Sequence, residues 1–310
     1  MKIVFMGTPA FGATVLQGLI EKHEVVLVVT QPDKLVGRKQ QIEYSPVKQL
    51  ALEHHIDVFQ PQNIRKEYQT ILKYDFDIIV TAAFGQIVGK RLLDYPKYKA
   101  INVHGSLLPK YRGGAPIQRA IIDGEQFTGI TIMYMAPKMD AGDIILQTKL
   151  PIEKTDNTDS LFSKLAILGR NLVLQALDKI EAGSIETFPQ DEELVTYAPN
   201  LTKADEIIDF SKPAISVFNQ IRGLANNPGG HFKINDTVFK VYSSQISEET
   251  YDGEVGEIVD VGKSFFTVMC GKFTTINFTD IKPEGRNIMT VKDYLNGKGK
   301  FVIKKGEKLQ

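Results

Sequence analysis

The opening of the chain leaves little freedom over its fold. Ile3-Val4-Phe5-Met6 is a short continuous apolar run, the pattern of a strand buried on both faces. Gly7-Thr8-Pro9 turns the chain, and Phe11, Val15, Leu16, Leu19 and Ile20 then recur at helical spacing. Residues 25–29 form the next apolar strand. A strand, a helix and a strand in this order imply parallel pairing with a right-handed crossover.

The alternation continues. Ser45-Pro46 reads as an N-cap followed by proline at the first helical position, opening a helix to about residue 55. A helical pattern covers 63–74, and strands are expected at 77–80, 100–104, 128–135 and 144–152. A long amphipathic helix follows over 159–181. The fold class expected is therefore α/β: a Rossmann-like, doubly wound, mostly parallel sheet. The polar stretch 31–44 is long for a connection inside a compact domain, and such stretches are usually functional or mobile.

After about residue 190 the texture changes. One helix over 213–224 precedes short alternating runs at 237–242, 256–259, 265–269 and 273–276, separated by glycines. These suggest a small antiparallel β-barrel. A length of 310 residues favours two domains. The expected division is 1–190, a linker over 191–208, and 209–310.

Composition narrows the class. The single cysteine, Cys270, excludes an internal disulfide framework and fits a reducing, cytoplasmic setting. No apolar run approaches the roughly 20 residues a membrane helix needs, so no membrane partner is expected. Net charge is zero, which argues mildly against a nucleic-acid partner. Its distribution argues the other way: from Lys282 to Gln310 eight basic residues face three acidic ones, an excess of +5. A solvated tail and a phosphate-attracting surface both remain open on charge alone.

The run Gly7 to Gly12 sits where a dinucleotide fingerprint would sit, but Pro9 and the missing second glycine spoil close approach to a pyrophosphate. An NAD-dependent dehydrogenase is disfavoured on that ground. Asn102 and His104 are the sharper pair. Two apart on a strand, they share a face, and they lie at its carboxyl end, where open α/β sheets place ligands. The run 105–116 that follows is dense in glycine and proline, which indicates a fixed loop. Asp140 lies in a later loop, 138–143. Spacing alone leaves two readings open, a catalytic cluster or a structural histidine with a turn aspartate.

The stretch Asn102-Val103-His104-Gly105-Ser106-Leu107-Leu108-Pro109, with Tyr111-Arg112-Gly113, resembles the signature of the formyltransferases that use 10-formyltetrahydrofolate. Phe5-Met6-Gly7-Thr8-Pro9, Thr30-Gln31-Pro32-Asp33, Ser45-Pro46-Val47-Lys48, Ala83-Phe84-Gly85, Gln118-Arg119 and Val195-Thr196-Tyr197-Ala198 resemble the branch of that family acting on methionyl-tRNA. The resemblance implies a second domain of oligonucleotide-binding type and a catalytic set of Asn102, His104 and Asp140. It implies a folate groove walled by Ser106, Leu107, Leu108 and Pro109 and bordered by Phe84, Gly85, Gln86 and Ile87. It further implies tRNA contacts at Arg38 and Lys39, 10-formyltetrahydrofolate as co-substrate, and no metal. The expected activity is formylation of initiator methionyl-tRNA by a monomer. A formyltransferase acting on a small amine such as an amino sugar nucleotide is one alternative, and a non-catalytic RNA-binding protein is another.

Overall fold

The computed structural model describes residues 1–36 and 41–310. The expected tRNA contacts Arg38 and Lys39 lie outside the described residues. The chain forms two compact units: Met1–Pro116 with Phe127–Pro151 and Phe162–Pro199, and Asn200–Gln310 with Ile117–Gln126 and Ile152–Leu161.

In the first unit the strands are β1 (Lys2–Gly7), β2 (Glu24–Val29), the small pair β3 (Lys34–Val36) and β4 (Gln41–Glu43), β5 (Val58–Phe59), β6 (Ile78–Ala82), β7 (Ala100–His104), β8 (Phe127–Tyr134) and β9 (Ile144–Pro151). The main sheet runs β5-β2-β1-β6-β7-β8-β9. Its first five strands pair in parallel, and β8 and β9 are antiparallel. This is the mostly parallel doubly wound sheet expected from the opening βαβ unit. Helices α1 (Ala10–Lys22), α2 (Pro46–Glu53), α3 (Ile64–Glu67) and α4 (Lys90–Leu93) accompany these strands; α5 (Pro116–Ile122) falls in the second unit from Ile117 on, and α6 (Thr158–Glu181) in the first unit from Phe162 on.

Local chemistry accounts for the helix starts. Ser45 caps α2 by accepting from the Lys48 amide at 3.1 Å, with Pro46 in the first turn. Gly12 is demanded by packing rather than by a phosphate: a Cβ there would stand 2.9 Å from the Ala82 carbonyl oxygen and 3.2 Å from Val47. The helix expected over 63–74 instead breaks after Glu67 into a 3-10 turn, Tyr68–Lys73. Tyr68, Thr70 and Ile71 fit poorly against a preceding α-helical turn. Strand β5 has only two residues, too few for any periodicity to reveal.

The second unit carries α7 (Ala214–Gly223), β10 (Gly230–Ile234), β11 (Thr237–Ser247), β12 (Ile258–Val261), β13 (Phe266–Cys270), β14 (Thr274–Pro283), β15 (Met289–Thr290) and α8 (Val291–Asn296). Its antiparallel sheet runs β10-β11-β14-β13-β12, with β15 on β14. The two edge strands are bridged by the last residues. Gln310 exchanges backbone hydrogen bonds with Lys233 at 2.8 and 3.0 Å, and Ile258 donates to the Glu307 carbonyl at 2.8 Å. That bridge supplies the barrel closure that removes exposed edges. Phe232 sits at the centre of the core, stacked 5.6 Å from Phe239, with Phe278, Phe266 and Phe210 around it.

Arg119 grips Asp205 with two bonds of 2.7 and 3.1 Å, and the Thr202 amide and hydroxyl donate to the same carboxylate. The Arg119 hydrogen bonds hold the Asp205 carboxyl well below the usual carboxylate range. A depressed folded-state value stabilises the fold above the unfolded carboxyl's pKa of about 4 and is lost as pH falls through the folded value. Arg119→Ala should cost about 1–3 kcal/mol at pH 7, and the gap to wild type should narrow below about pH 4. Urea unfolding at pH 7 and pH 3 measures both. An equal gap at the two pH values would contradict the assignment.

Candidate active site

The sheet brings Asn102 and His104 to the carboxyl end of β7, the strand beside the point where pairing changes from parallel to antiparallel. Asn102 is oriented from β6: the Thr81 hydroxyl donates to its Oδ1 at 2.7 Å. Carbonyl oxygen bound, the carboxamide turns its NH2 away from Thr81, as a donor for another partner.

His104 is 5% exposed. Its Nε2 lies 2.9 Å from the Tyr111 carbonyl oxygen. A carbonyl only accepts, so Nε2 carries the proton and Nδ1 is the ring atom left for proton exchange. Nδ1 faces Asp140, whose Oδ2 is 3.7 Å away and whose side chain is 14% exposed. The distance exceeds a direct hydrogen bond, so the carboxylate faces the ring without bonding to it. Asp140 itself is held on two sides. Its Oδ2 accepts from the Gly113 amide at 2.9 Å, and its carbonyl accepts from Gln190 Nε2 at 2.9 Å. Its φ is +51°, a left-handed conformation that aspartate tolerates better than most residues bearing a side chain.

The loop after β7 is fixed by a segment distant in sequence. The Tyr111 amide donates to the Thr196 hydroxyl at 2.9 Å, and Arg112 exchanges backbone bonds with the Thr196 and Ala198 peptides at 2.9 and 2.7 Å. Gly113 lies so close to this segment that a Cβ would meet the Ala198 oxygen at 2.5 Å, and its φ of +131° excludes most side chains. Arg112 is fully buried, its guanidinium bound to Gln190 and Glu192.

The residues expected along a ligand groove divide into two kinds. Ser106 is 0% exposed and spends its hydroxyl on the Lys110 carbonyl at 2.7 Å. The Ser106 carbonyl and the Leu108 amide both bind the Thr131 hydroxyl, and Gln147 donates to the Leu108 carbonyl. Ser106 and Leu108 are thus internal supports, while Leu107 and Pro109 are half-exposed. Phe84 is buried in the core and Gln86 ties the Ile64 amide to the Pro61 carbonyl. Gly85 and the 58% exposed Ile87 present surface. Thr81, Thr131, Gln147 and Gln190 escaped the sequence reading. Only their positions relative to the signature in space make them notable.

A sequence model of the formyl transferase family matches residues 1–177, and one of the formyl transferase C-terminal domain matches residues 200–299. The curated methionyl-tRNA formyltransferase of Limosilactobacillus fermentum is 48% identical over 95% of both chains. The chain belongs to the formyl transferase family. The methionyl-tRNA formyltransferase of Staphylococcus aureus is 45% identical over 99% of both chains. Among solved structures, an N-formyltransferase from Helicobacter canadensis, bound to folinic acid and dTDP-3-aminofucose, shares the fold at 22% identity. Its TM-score is 0.70, covering 90% of this chain and 98% of that one. Between the two matched regions of this formyl transferase lie residues 178–199. That interval contains Gln190, Glu192, Thr196 and Ala198, which tie down the site loops.

Proposed function

We propose that this formyltransferase moves the formyl group of 10-formyltetrahydrofolate onto the α-amino group of initiator methionyl-tRNA, giving N-formylmethionyl-tRNA. The observation that carries it is 45–48% identity to curated methionyl-tRNA formyltransferases along nearly the whole chain, both units included.

Asn102, His104 and Asp140 do the chemistry. The neutral amine attacks the formyl carbon, and the negative charge that develops on the formyl oxygen accepts a hydrogen bond from Asn102 Nδ2. The amine gives up one proton to His104 at Nδ1, since Nε2 is engaged by Tyr111. Asp140 stabilises the imidazolium so formed. The C–N bond to the carrier then breaks, and the same Nδ1 proton neutralises the departing folate nitrogen. The formyl group is already an activated amide, so neither a covalent nucleophile nor a metal is assigned a role.

The carrier lies along the surface offered by Leu107, Pro109, Gly85 and Ile87, while Ser106, Leu108, Phe84 and Gln86 shape that wall from behind. The second unit and the polar stretch containing Arg38 and Lys39 engage the tRNA in the cytoplasm, and the enzyme acts as a monomer. Among the described residues no helix is long and apolar enough to cross a membrane. Arg38→Ala should raise KM for the tRNA by about tenfold, the cost of one lost charge-assisted contact, with KM for the folate unchanged. Steady-state titration of each substrate measures the two, and equal effects would remove Arg38 from the interface.

The deciding assay supplies 10-formyltetrahydrofolate with methionyl-initiator tRNA, free methionine or an amino sugar nucleotide. Formylation of the charged tRNA alone supports the proposal. Transfer only to a small amine, or to nothing, would refute it.

A further inference from the structure

Gln190 is the last residue of the first expected domain, next to the connecting stretch, and apart from a 4.0 Å approach of its Nε2 to Met133 Sδ its four side-chain bonds go to the site. Its Oε1 accepts from Arg112 Nε at 3.0 Å and Nη2 at 2.8 Å. Its Nε2 donates to the Asp140 carbonyl at 2.9 Å and the Gly142 carbonyl at 2.8 Å. The amide orientation follows from the partners: flipped, its NH2 would meet a guanidinium and its oxygen two carbonyls. The residues around it continue the same clamp. Phe188 exchanges two backbone bonds with Ile144 at the loop's far end. Glu192 bridges Arg112 Nη2 at 2.9 Å and Lys138 Nζ at 2.6 Å.

We infer that Gln190 is a positioning residue for formyl transfer: it locks the left-handed backbone of Asp140 to the buried guanidinium of Arg112, and so holds the Asp140 carboxylate against His104. Arg112 belongs to the loop that also carries Tyr111, the acceptor for His104, and Gly113, the donor to Asp140. One amide therefore couples the two loops from which the His104–Asp140 pair is assembled. The inference rests on the formyltransferase reading above. A merely structural Gln190 would serve only to satisfy Arg112.

Gln190→Glu separates the two roles. The carboxylate still accepts both Arg112 bonds, but it cannot donate to the Asp140 and Gly142 carbonyls. Q190E should keep a thermal midpoint within about 3 °C of wild type and an unchanged KM for the formyl-folate. Its single-turnover rate of transfer should fall roughly 10- to 100-fold, the loss that a misplacement of about 1 Å brings. Gln190→Met, neutral and of similar length, removes the bonds to Arg112, Asp140 and Gly142; it should lower the thermal midpoint further, since the buried Arg112 loses two acceptors, with the same fall in rate and an unchanged KM. Combined with Asp140→Asn, either change should add little to the loss from Asp140→Asn alone, because both act through one carboxylate. A wild-type rate in either folded variant, or fully additive losses in the double variant, would overturn the inference. Absence of transfer by the wild-type enzyme would instead refute the formyltransferase reading and this inference with it.

Discussion

His104→Ala should lower kcat for formyl transfer by about 10²- to 10³-fold, while the dissociation constant for the folate carrier changes less than about twofold. The ring has one nitrogen committed to the Tyr111 carbonyl and the other toward Asp140. In the proposed mechanism, removing it deletes the group that takes the amine proton and returns it to the leaving nitrogen, and leaves the proposed carrier surface intact. Asp140→Asn keeps the shape and the left-handed turn, since asparagine tolerates that conformation, but removes the negative charge that the proposed mechanism places beside the ring. Its kcat should fall by about 10²-fold. Single-turnover rates near wild type in either variant would remove these residues from the mechanism.

Phe232→Ala should cost about 3–5 kcal/mol in the second unit. The ring is fully buried and touches four other phenylalanine rings, so truncation leaves a cavity that no flexible neighbour fills. The position is also structurally central: β10 pairs Phe232 directly with Phe239 of β11. Hydrogen exchange read by mass spectrometry should show faster exchange through β10–β14, with β1, β2 and β6 of the first unit protected as in wild type. Uniformly faster exchange in both units would mean that the two do not unfold separately.

How far the sequence carried can be judged from particular residues. The parallel sheet was legible at Ile3–Met6 and 25–29 because strands buried on both faces must be continuously apolar. The Ser45-Pro46 helix start was legible because a cap is a local event between residues three apart. Asn102 and His104 could be placed on one face by strand periodicity, and their type matched the family signature. The 3-10 break after Glu67, two-residue β5, and β10 with its Phe232 were not visible, because short elements are decided by the neighbours they pair with.

The sequence by itself determined the fold class and the family, and it named the side chains that the proposed mechanism uses. These follow from chain-local patterns: hydrophobic period, capping and a contiguous signature. The tertiary structure alone decided that Thr81 turns the Asn102 amide and that Thr196 and Ala198 seam the loop after β7. It also decided that Ser106 and Leu108 are supports rather than surface, and that Gln190 joins Arg112 to Asp140. Each of these is a hydrogen bond between groups 21 or more residues apart, Ser106–Lys110 excepted. Such bonds leave no periodicity in the chain, because only folding brings their donors and acceptors within 3 Å of each other.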